Sequence, residues 1–340
     1  MKVIEKPNDE LHNPYWKFQL GQEAYEVKDT PRRVEVIQEV LRSHGRFEFV
    51  KAEHFPERLI SHLHPYHDYI KNTSELLINE EDEFYPDLFL GEGDRLPRRV
   101  DEPLWGGIWC TDAVTPIKKM TYKVAKASAD SALTGARYLR DEHERLVYAL
   151  CRPSGHHAGP RVFGGYCYFN NMAVAAEYLL PSGPVAIVDI DYHHGNGTQE
   201  FFIEVKSVFT ASIHGDPAIE YPYFWGYADE KGKGQAEGTN HNEPLVRGTE
   251  ISAYLDALKR IVKSIQSFAP SWLIIGAGFD THIDDPIGGF GLRTDDYTEI
   301  GAVLGALNLP TLVCQEGGYN TEVVGLCVRN FLIGLMKGEG

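Results

Sequence analysis

The chain has 340 residues, 43% of them hydrophobic, and a formal net charge of −16 at pH 7, so it can bury a large core and is not expected to be disordered. The negative charge argues against nucleic-acid binding, which favours basic surfaces; it would steer a cationic substrate, but many cytoplasmic proteins are equally acidic. No apolar run is long enough to span a membrane, and the N-terminus has no apolar signal region. The five cysteines include no C-x-x-C pair. These features predict a cytoplasmic protein whose thiols are reduced.

Helix-like and strand-like segments alternate along the chain. Helices are predicted at 34–41, at 57–77 with an interruption at Pro65, and at 119–142. Strands are then predicted at 146–151, 185–190, 208–213, 272–277 and 311–315, with helices at 251–268 and 323–336. This alternation is typical of βαβ units. We therefore predict an α/β protein, a single domain over residues 1–340, with an open, mostly parallel sheet flanked by helices.

Residues 79–109 interrupt this alternation. The segment begins with an acidic run, EEDEF, and continues as LGEGDRLPRRVDEPLWGG with repeated glycine and proline. A connection of this length is uncommon inside a compact domain, so we expect a functional segment, an interface or a mobile loop.

Polar side chains stand where the predicted strands end. The strand 185–190 leads into Asp189, Asp191 and His193. Residues two apart share a face of an extended chain, so Asp191 and His193 can converge on one point. Ligands of open α/β sheets bind at the carboxyl ends of the strands. Taken alone, the pattern also fits a strand-end aspartate followed by a surface histidine pair.

Three other predicted strands end in the same way. His156 and His157 follow the strand 146–151, Asp280 follows 272–277 and Tyr319 follows 311–315. Asp280 together with the Asp and His of the previous motif would give a metal three protein ligands and an open position, which is the pattern of a catalytic site. Two carboxylates and one imidazole suit Zn²⁺, and also Fe²⁺ or Co²⁺. Singly, Asp280 could be a helix cap and Tyr319 a turn residue at the surface.

Six ordered motifs resemble those of one protein family: RPSGHHAG, GGYCYFNN, DIDYHHGNGTQ, SIHGD, GFDTHIDDP and EGGYN. From about Pro31 to the C-terminus the chain resembles the arginase–deacetylase superfamily, and within it the zinc-dependent histone deacetylase-like amidohydrolases. Residues 221–248 and 79–109 resemble the acetylpolyamine amidohydrolase branch. The resemblance implies the arginase–deacetylase fold and a hydrolase that removes acetyl groups from acetylated polyamines or similar small acylated amines.

The resemblance also implies the roles of the strand-end residues. Zn²⁺ would be held by Asp191, His193 and Asp280, and would polarise the acyl oxygen and activate water. His157 would take the proton from water and pass it to the leaving amine. The remaining catalytic positions are His156 held by Asp189, Asn196 as a neutral partner of His157, and Tyr319 as donor to the oxyanion.

Further positions follow from the same resemblance. The segment 79–109 would build a homodimer interface that narrows the active-site mouth, and it holds candidate carboxylates for reading a polyamine amine at Glu92, Asp94, Asp101 and Glu102. The substrate tunnel would be lined by Tyr166, Tyr221, Asp112, Gly165 and Ile287, although Tyr166 and Tyr221 could equally be core tyrosines. A structural K⁺ would lie at Asp189, Asp191, His193, Ser212 and Ile213, and a second near Phe202, Val205 and Val208.

Three other functions remain open at the level of sequence. A protein lysine deacetylase or broad-range deacylase would use the same site, but the long insertion and the lack of a basic or disordered tail count against it. An arginase-like ureohydrolase would need additional carboxylates to bridge two manganese ions, and Asn196, the histidine pair and Tyr319 disfavour it. An inactive binding module should have lost a metal ligand or Tyr319, and none is lost.

Overall fold

The computed structural model describes residues 1–6, 9–14, 17–20, 23–86, 89 and 106–337, without the side chains of 17–20 and 23–25. The strands are β1 (Lys2–Glu5), β2 (Lys17–Leu20), β3 (Glu23–Glu26), β4 (Glu48–Lys51), β5 (Glu83–Phe84), β6 (Ile117–Lys118), β7 (Leu146–Ala149), β8 (Val185–Asp189), β9 (Val208–Gly215), β10 (Asn240–Leu245), β11 (Trp272–Ala277) and β12 (Thr311–Gln315). The helices are α1 (Arg32–His44), α2 (Arg58–Ser61), α3 (His67–Leu76), α4 (Thr121–Asp141), α5 (Asn171–Leu179), α6 (Asn196–Phe202), α7 (Ile251–Phe268), α8 (Asp296–Gly305) and α9 (Val324–Lys337).

Eight of the described strands form one sheet in the order β10-β9-β8-β11-β12-β7-β1-β4. Every neighbouring pair in it is parallel. The chain runs from β8 outward to β9 and β10, but from β11 to β12 in the opposite direction. β8 and β11 therefore flank a point where the strand order reverses, and such a point is where open parallel sheets bind ligands.

Helices cover both faces of the sheet because its central strands are apolar on both sides. Val147 and Ile187 pack on one face with residues of α4, α5 and α6. Tyr148 and Val188, the next residues along the same strands, pack on the other face with residues of α1, α7, α8 and α9. The alternation follows from the two-residue period of a strand. The predicted fold class, an open parallel sheet flanked by helices, is confirmed.

Helix α4 approaches the sheet closely because its inner face carries small residues. Ala132 and Ala136 are buried against the sheet, and a Cβ on Gly135 would lie 2.4 Å from Cδ1 of Leu312 in β12. Two turns earlier along the helix, the Ser128 hydroxyl donates a 2.8 Å hydrogen bond to the carbonyl of Pro153. The helix thereby supports the segment that follows β7, which carries the histidine pair.

The predicted helices and central strands are present, with ends that differ by a few residues. Of the eight strands in the sheet, β1, β4 and β10 were not predicted, and neither were the short strands β2, β3, β5 and β6 outside it. β10 lies at one edge of the sheet and reads NHNEPL, so it lacks the apolar run that marks a buried strand. No helix within the described ranges is long and apolar enough to cross a membrane. Most of the segment 79–109 lies outside the described residues, including Glu92, Asp94, Asp101 and Glu102.

Candidate active site

The strand ends on either side of the reversal point bring Asp191, His193 and Asp280 together. One potential ligand atom from each of the three lies within 4.8 Å of the others. Nδ1 of His193 is 3.0 Å from Oδ2 of Asp280 and 3.4 Å from Oδ1 of Asp191. Both carboxylates are fully buried. The three side chains that the sequence predicted as metal ligands therefore converge on one point.

Backbone groups fix the orientation of both carboxylates. Asp191 Oδ2 accepts a 2.7 Å hydrogen bond from the backbone N–H of Gly317, which follows β12. Asp280 Oδ1 accepts one of 2.9 Å from the N–H of Tyr192. These bonds leave the other oxygens of the two carboxylates facing His193. Position 317 requires glycine, because a Cβ there would come within 2.6 Å of both carboxylates.

The electrostatics of this cluster suit a divalent cation. Burial and the neighbouring charge of Asp191 raise the pKa of Asp280 to about 7. Burial alone would lower the pKa of His193, but Asp191 and Asp280 outweigh it and raise the pKa to about 10. Two buried carboxylates this close repel each other. A divalent ion would relieve that repulsion, and the two carboxylates and one imidazole are a donor set that Zn²⁺ accepts.

The histidine pair lies beside the metal-ligand cluster, and the two rings are 4.0 Å apart between centroids. His156 Nδ1 is 2.8 Å from Asp189 Oδ2, while His157 Nδ1 is 2.7 Å from Asn196 Oδ1. The backbone of Gly165, in a left-handed conformation (φ 57°), lies against the ring of His157. A Cβ on Gly165 would lie 2.3 Å from Cδ2 of His157, so this position requires glycine.

The different partners separate the pKa values of the two imidazoles. Burial opposes the charged form of both rings. For His156 the carboxylates of Asp191 and Asp189 outweigh burial and raise the pKa well above its ordinary value. For His157 burial, together with the positive charges of His156 and His193, lowers the pKa well below its ordinary value.

Tyr319 reaches the site from the loop after β12. Its backbone N–H donates a 2.7 Å hydrogen bond to Asp285 Oδ2. The guanidinium of Arg33 stacks on its ring, 4.5 Å from the centroid. Burial raises the pKa of the Tyr319 hydroxyl well above its ordinary value; Arg33 opposes this shift, and the charges of Asp280 and Asp191 add to it. The hydroxyl therefore stays protonated at neutral pH and can donate a hydrogen bond.

Aromatic rings lie against the histidine pair and Tyr319. The ring of Tyr221 meets that of His157 edge to face at 4.9 Å, and the ring of Tyr166 lies 5.9 Å from that of Tyr319. Tyr166 is held in a left-handed conformation (φ 65°). Ile287, the other predicted wall residue, is half-buried, and its N–H donates to Asp285 Oδ1.

Asp112 joins Tyr221 to the loop that carries Gly165 and Tyr166. Its Oδ2 accepts hydrogen bonds from the Gly165 N–H at 2.6 Å and from the Tyr221 hydroxyl at 3.3 Å. Its Oδ1 accepts from the Val114 N–H and the Thr115 hydroxyl, both at 2.9 Å. Both oxygens are thus engaged within the protein. Asp112 therefore braces these two aromatic residues, and the substrate tunnel predicted here stays a prediction, as does the substrate contact predicted for Asp112.

The predicted K⁺ positions lie beside β8 and β9. Asp189 and Ser212 face each other across these strands, and a small cavity of about 10 Å³ is lined by both, room for one water-sized particle. Ile213 is the next residue of β9. For the second position, hydrogen bonds from Val205 to Phe202 and from Val208 to Val205 form successive turns.

Several residues around the site were not predicted as functional. Glu316 begins the EGGYN motif but was given no role. Arg33 donates to the carbonyls of Glu316 and Gly318, and it forms a buried ion pair with Asp29. Asp29 also pairs with Arg152 at 3.1 Å. A charged residue directly after a buried strand was the available signal for Glu316; Arg33 and Asp29 carry no local signal.

Comparisons with known proteins agree with this geometry. The histone deacetylase domain family matches residues 28–335. Acetylpolyamine amidohydrolase 1 of Pseudomonas aeruginosa is 46% identical over 230 residues, which are 67% of this chain and 66% of that protein. The acetylpolyamine amidohydrolase of Mycoplana ramosa is 44% identical over 243 residues, 71% of this chain and 70% of that one. The crystal structure of acetylpolyamine aminohydrolase from Burkholderia pseudomallei superposes with a TM-score of 0.93 at 33% identity, covering 100% of both chains. The resemblance inferred from the six motifs is confirmed, and the chain belongs to the histone deacetylase domain family.

Proposed function

We propose that the chain is a zinc-dependent deacetylase of acetylated polyamines or similar small acylated amines. The observation that carries the proposal is the convergence of Asp191, His193 and Asp280 beside two histidines whose pKa values are shifted in opposite directions. A metal-ligand set beside a neutral and a charged imidazole can supply the activated water, the base and the charge stabilisation for amide hydrolysis. The names of the similar proteins supply the substrate class.

The ion would be held by the two aspartates and His193, and when bound it would supply Lewis-acid polarisation of the substrate carbonyl and of a water molecule. Fe²⁺ or Co²⁺ would suit the same donors. All other steps fall to side chains of the chain itself.

His157 is the proposed general base and, after proton transfer, the general acid. The Asn196 amide oxygen can only accept, so the proton of neutral His157 resides on Nδ1 and Nε2 is free to take a proton from water. Its lowered pKa keeps the ring neutral in the resting site. Once protonated, Nε2 can pass the proton to the departing amine nitrogen, which completes the cleavage of the C–N bond.

His156 and Tyr319 would stabilise negative charge. His156 donates from Nδ1 to Asp189, and its raised pKa keeps the ring positively charged. The Tyr319 hydroxyl stays protonated and is the proposed donor to the oxyanion of the tetrahedral intermediate.

The aromatic side chains at the predicted tunnel and the surface charge support a slender cationic substrate. Tyr166 and Tyr221 would flank an unbranched alkyl chain, and aromatic faces also attract a distant ammonium group. The net charge of −16 would favour approach of a polycation over a neutral amide. A single catalytic domain, the homodimer built on 79–109, the structural K⁺ ions and a cytoplasmic location stay predictions.

The test is acetate release by the zinc-loaded protein from N-acetylputrescine and N-acetylspermidine, beside an acetyl-lysine peptide. We expect cleavage of the acetylated amines, with the higher kcat/KM on these than on the peptide. Asp280→Ala should lose both the bound metal and activity, whereas Asp284→Ala, a change to an exposed aspartate four residues away, should keep both. Higher kcat/KM on the peptide would instead indicate a protein deacetylase, and no release from any substrate would contradict the deacetylase proposal.

A further inference from the structure

Glu316 is a buried carboxyl group that the proposed mechanism does not use. It follows β12 directly and has no exposed surface. Its Oε2 accepts hydrogen bonds from two consecutive backbone N–H groups, those of Gly155 at 2.7 Å and His156 at 3.2 Å. His156 is the first residue of the histidine pair, and Gly155 directly precedes it. The side chain of one strand-end loop therefore holds the backbone of another.

The backbone of the same residue is tied to the rest of the site. The Glu316 carbonyl accepts from the guanidinium of Arg33 and, at 3.1 Å, from the side-chain amide of Gln315. The next residue, Gly317, donates to the proposed metal ligand Asp191. Tyr319 lies two residues further on. A shift of Glu316 would thus disturb the histidine loop, a metal ligand and the tyrosine loop together.

Burial of the Glu316 carboxyl group carries a cost in free energy. Among the described residues, Glu316 forms no ion pair, and its Oε1 atom is buried without a hydrogen-bond partner. Burial of an unsatisfied polar atom costs free energy, about 1–3 kcal/mol. Burial, with the charges of Asp189 and Asp191, raises the pKa of Glu316 to about 8, against the opposing effect of His156. The carboxyl group is therefore costly to bury, and what it provides at this place is an acceptor for the two backbone N–H groups.

We infer that Glu316 is a positioning residue of the proposed deacetylase site. It fixes the backbone of Gly155 and His156, so that both histidine rings reach their hydrogen-bond partners and keep their position relative to Tyr319. The inference rests on the proposed function only for its effect on turnover. The hydrogen bonds themselves can be tested without any reaction.

Two variants separate the role of the Glu316 oxygen as a hydrogen-bond acceptor from the role of its acidic group. Glu316→Gln keeps an oxygen that can accept from both N–H groups, so the loop should stay in place. Glu316→Ala removes the acceptor and leaves both N–H groups buried and unpaired. Displacement of catalytic groups by about 1 Å can cost on the order of a hundredfold in rate. We expect Glu316→Ala to lower kcat by about tenfold to a hundredfold, in line with that range, with little change in KM, and Glu316→Gln to restore most of the loss.

The activity-independent readout is amide hydrogen exchange, measured by NMR on the metal-free protein. The N–H groups of Gly155 and His156 should exchange slowly in the parent and in Glu316→Gln, and much faster in Glu316→Ala. Leu312→Ala, a buried truncation in the same strand, is the matched control. It should lower the unfolding midpoint without selectively exposing these two amides or changing kcat.

Glu316→Asp provides a second variant if the alanine protein does not fold, because the shortened side chain keeps a carboxyl group but withdraws it from the two N–H groups. Unchanged protection of both amides in the alanine or aspartate variant would overturn the inference, and so would an unchanged kcat. Failure of the proposed function has a different signature. In that case the parent would release no acetate, while the exchange experiment would still report on the two hydrogen bonds.

Discussion

Replacing Asn196 with aspartate tests the assignment of His157 as the base. The amide oxygen of Asn196 lies 2.7 Å from Nδ1 of His157 and carries no charge. The pKa of His157 lies well below its ordinary value because the ring is buried and because His156 is a positively charged neighbour. A carboxylate at position 196 keeps the hydrogen bond and adds a negative charge, so it should raise this pKa.

The size of the shift follows from the geometry. Unit charges about 4 Å apart attract by roughly 4 kcal/mol at an effective dielectric constant near 20, which corresponds to about 3 pKa units at about 1.4 kcal/mol per unit. The introduced carboxylate would itself be partly buried, and its desolvation subtracts from this value. We therefore expect the pKa of His157 to rise by about 1–3 units, the usual range for an adjacent opposite charge.

The assay is the pH dependence of kcat/KM on an acetylated diamine. A base must be unprotonated to act, so a higher pKa moves the acidic limb of the profile to higher pH, and activity near pH 6 should fall while the alkaline plateau persists. Asn308→Asp adds the same charge at an exposed position before β12 and should leave the profile unchanged. An Asn196→Asp enzyme with normal zinc content and an unshifted acidic limb would refute the assignment of His157 as the base.

Three other substitutions test separate parts of the site. Tyr319→Phe should keep the metal but lower kcat by roughly a hundredfold or more, as loss of an oxyanion donor does. A metal assay and single-turnover kinetics check this, and normal turnover would show that Tyr319 takes no part in the mechanism. Asp112→Asn removes an acceptor between Tyr221 and the loop that carries Tyr166, so KM should rise about tenfold, the equivalent of roughly 1.4 kcal/mol, and an unchanged KM would mean that the brace does not shape the predicted tunnel. Asp29→Asn leaves the buried Arg33 without a carboxylate partner and Arg152 with only Asp9, and urea unfolding should show a loss of about 3–5 kcal/mol; a loss below about 1 kcal/mol would contradict this reasoning.

The Asp29 prediction also has a defined pH dependence. Burial would raise the pKa of this carboxyl, but Arg152 and Arg33 outweigh burial and lower it. A carboxyl whose pKa is lower in the folded state stabilises the fold above its unfolded-state pKa, about 3.9. That contribution is lost as the pH falls through the lower, folded-state pKa. The difference in stability between parent and Asp29→Asn should therefore be full at neutral pH and shrink only in acid.

The central part of the fold was predictable because its signals are local. β8, β9, β11 and β12 are runs of mainly apolar residues buried on both faces, and each leads directly into the polar motif that it positions. The edge strand β10 is polar and was missed for that reason. Strand ends also make the metal ligands and the histidine pair visible, since parallel strands bring their carboxyl ends to one rim.

Residues that act through long-range contacts were not predictable in this way. Arg33 sits in the first turn of α1, yet its guanidinium binds the carbonyl of Gly318, 285 residues away in the sequence. Asp112 was recognised as a rim acid, but its hydrogen bond to Gly165 depends on how two loops pack. Neither residue has a pattern of neighbours that distinguishes it from an ordinary helix arginine or loop aspartate.

The two adjacent histidines show how one residue type can supply two chemistries in one site. Both rings are buried, so the low dielectric disfavours charge on each. The carboxylates of Asp189 and Asp191 outweigh burial at His156, raise its pKa and hold the ring as a cation. The amide of Asn196 carries no charge, so burial remains the main influence on His157 and lowers its pKa. The positive charge on His156 then lowers the pKa of His157 further. A carboxylate in place of Asn196 would weaken this division, because His157 would then be held as a cation over more of the pH range and would have no free nitrogen there to accept a proton.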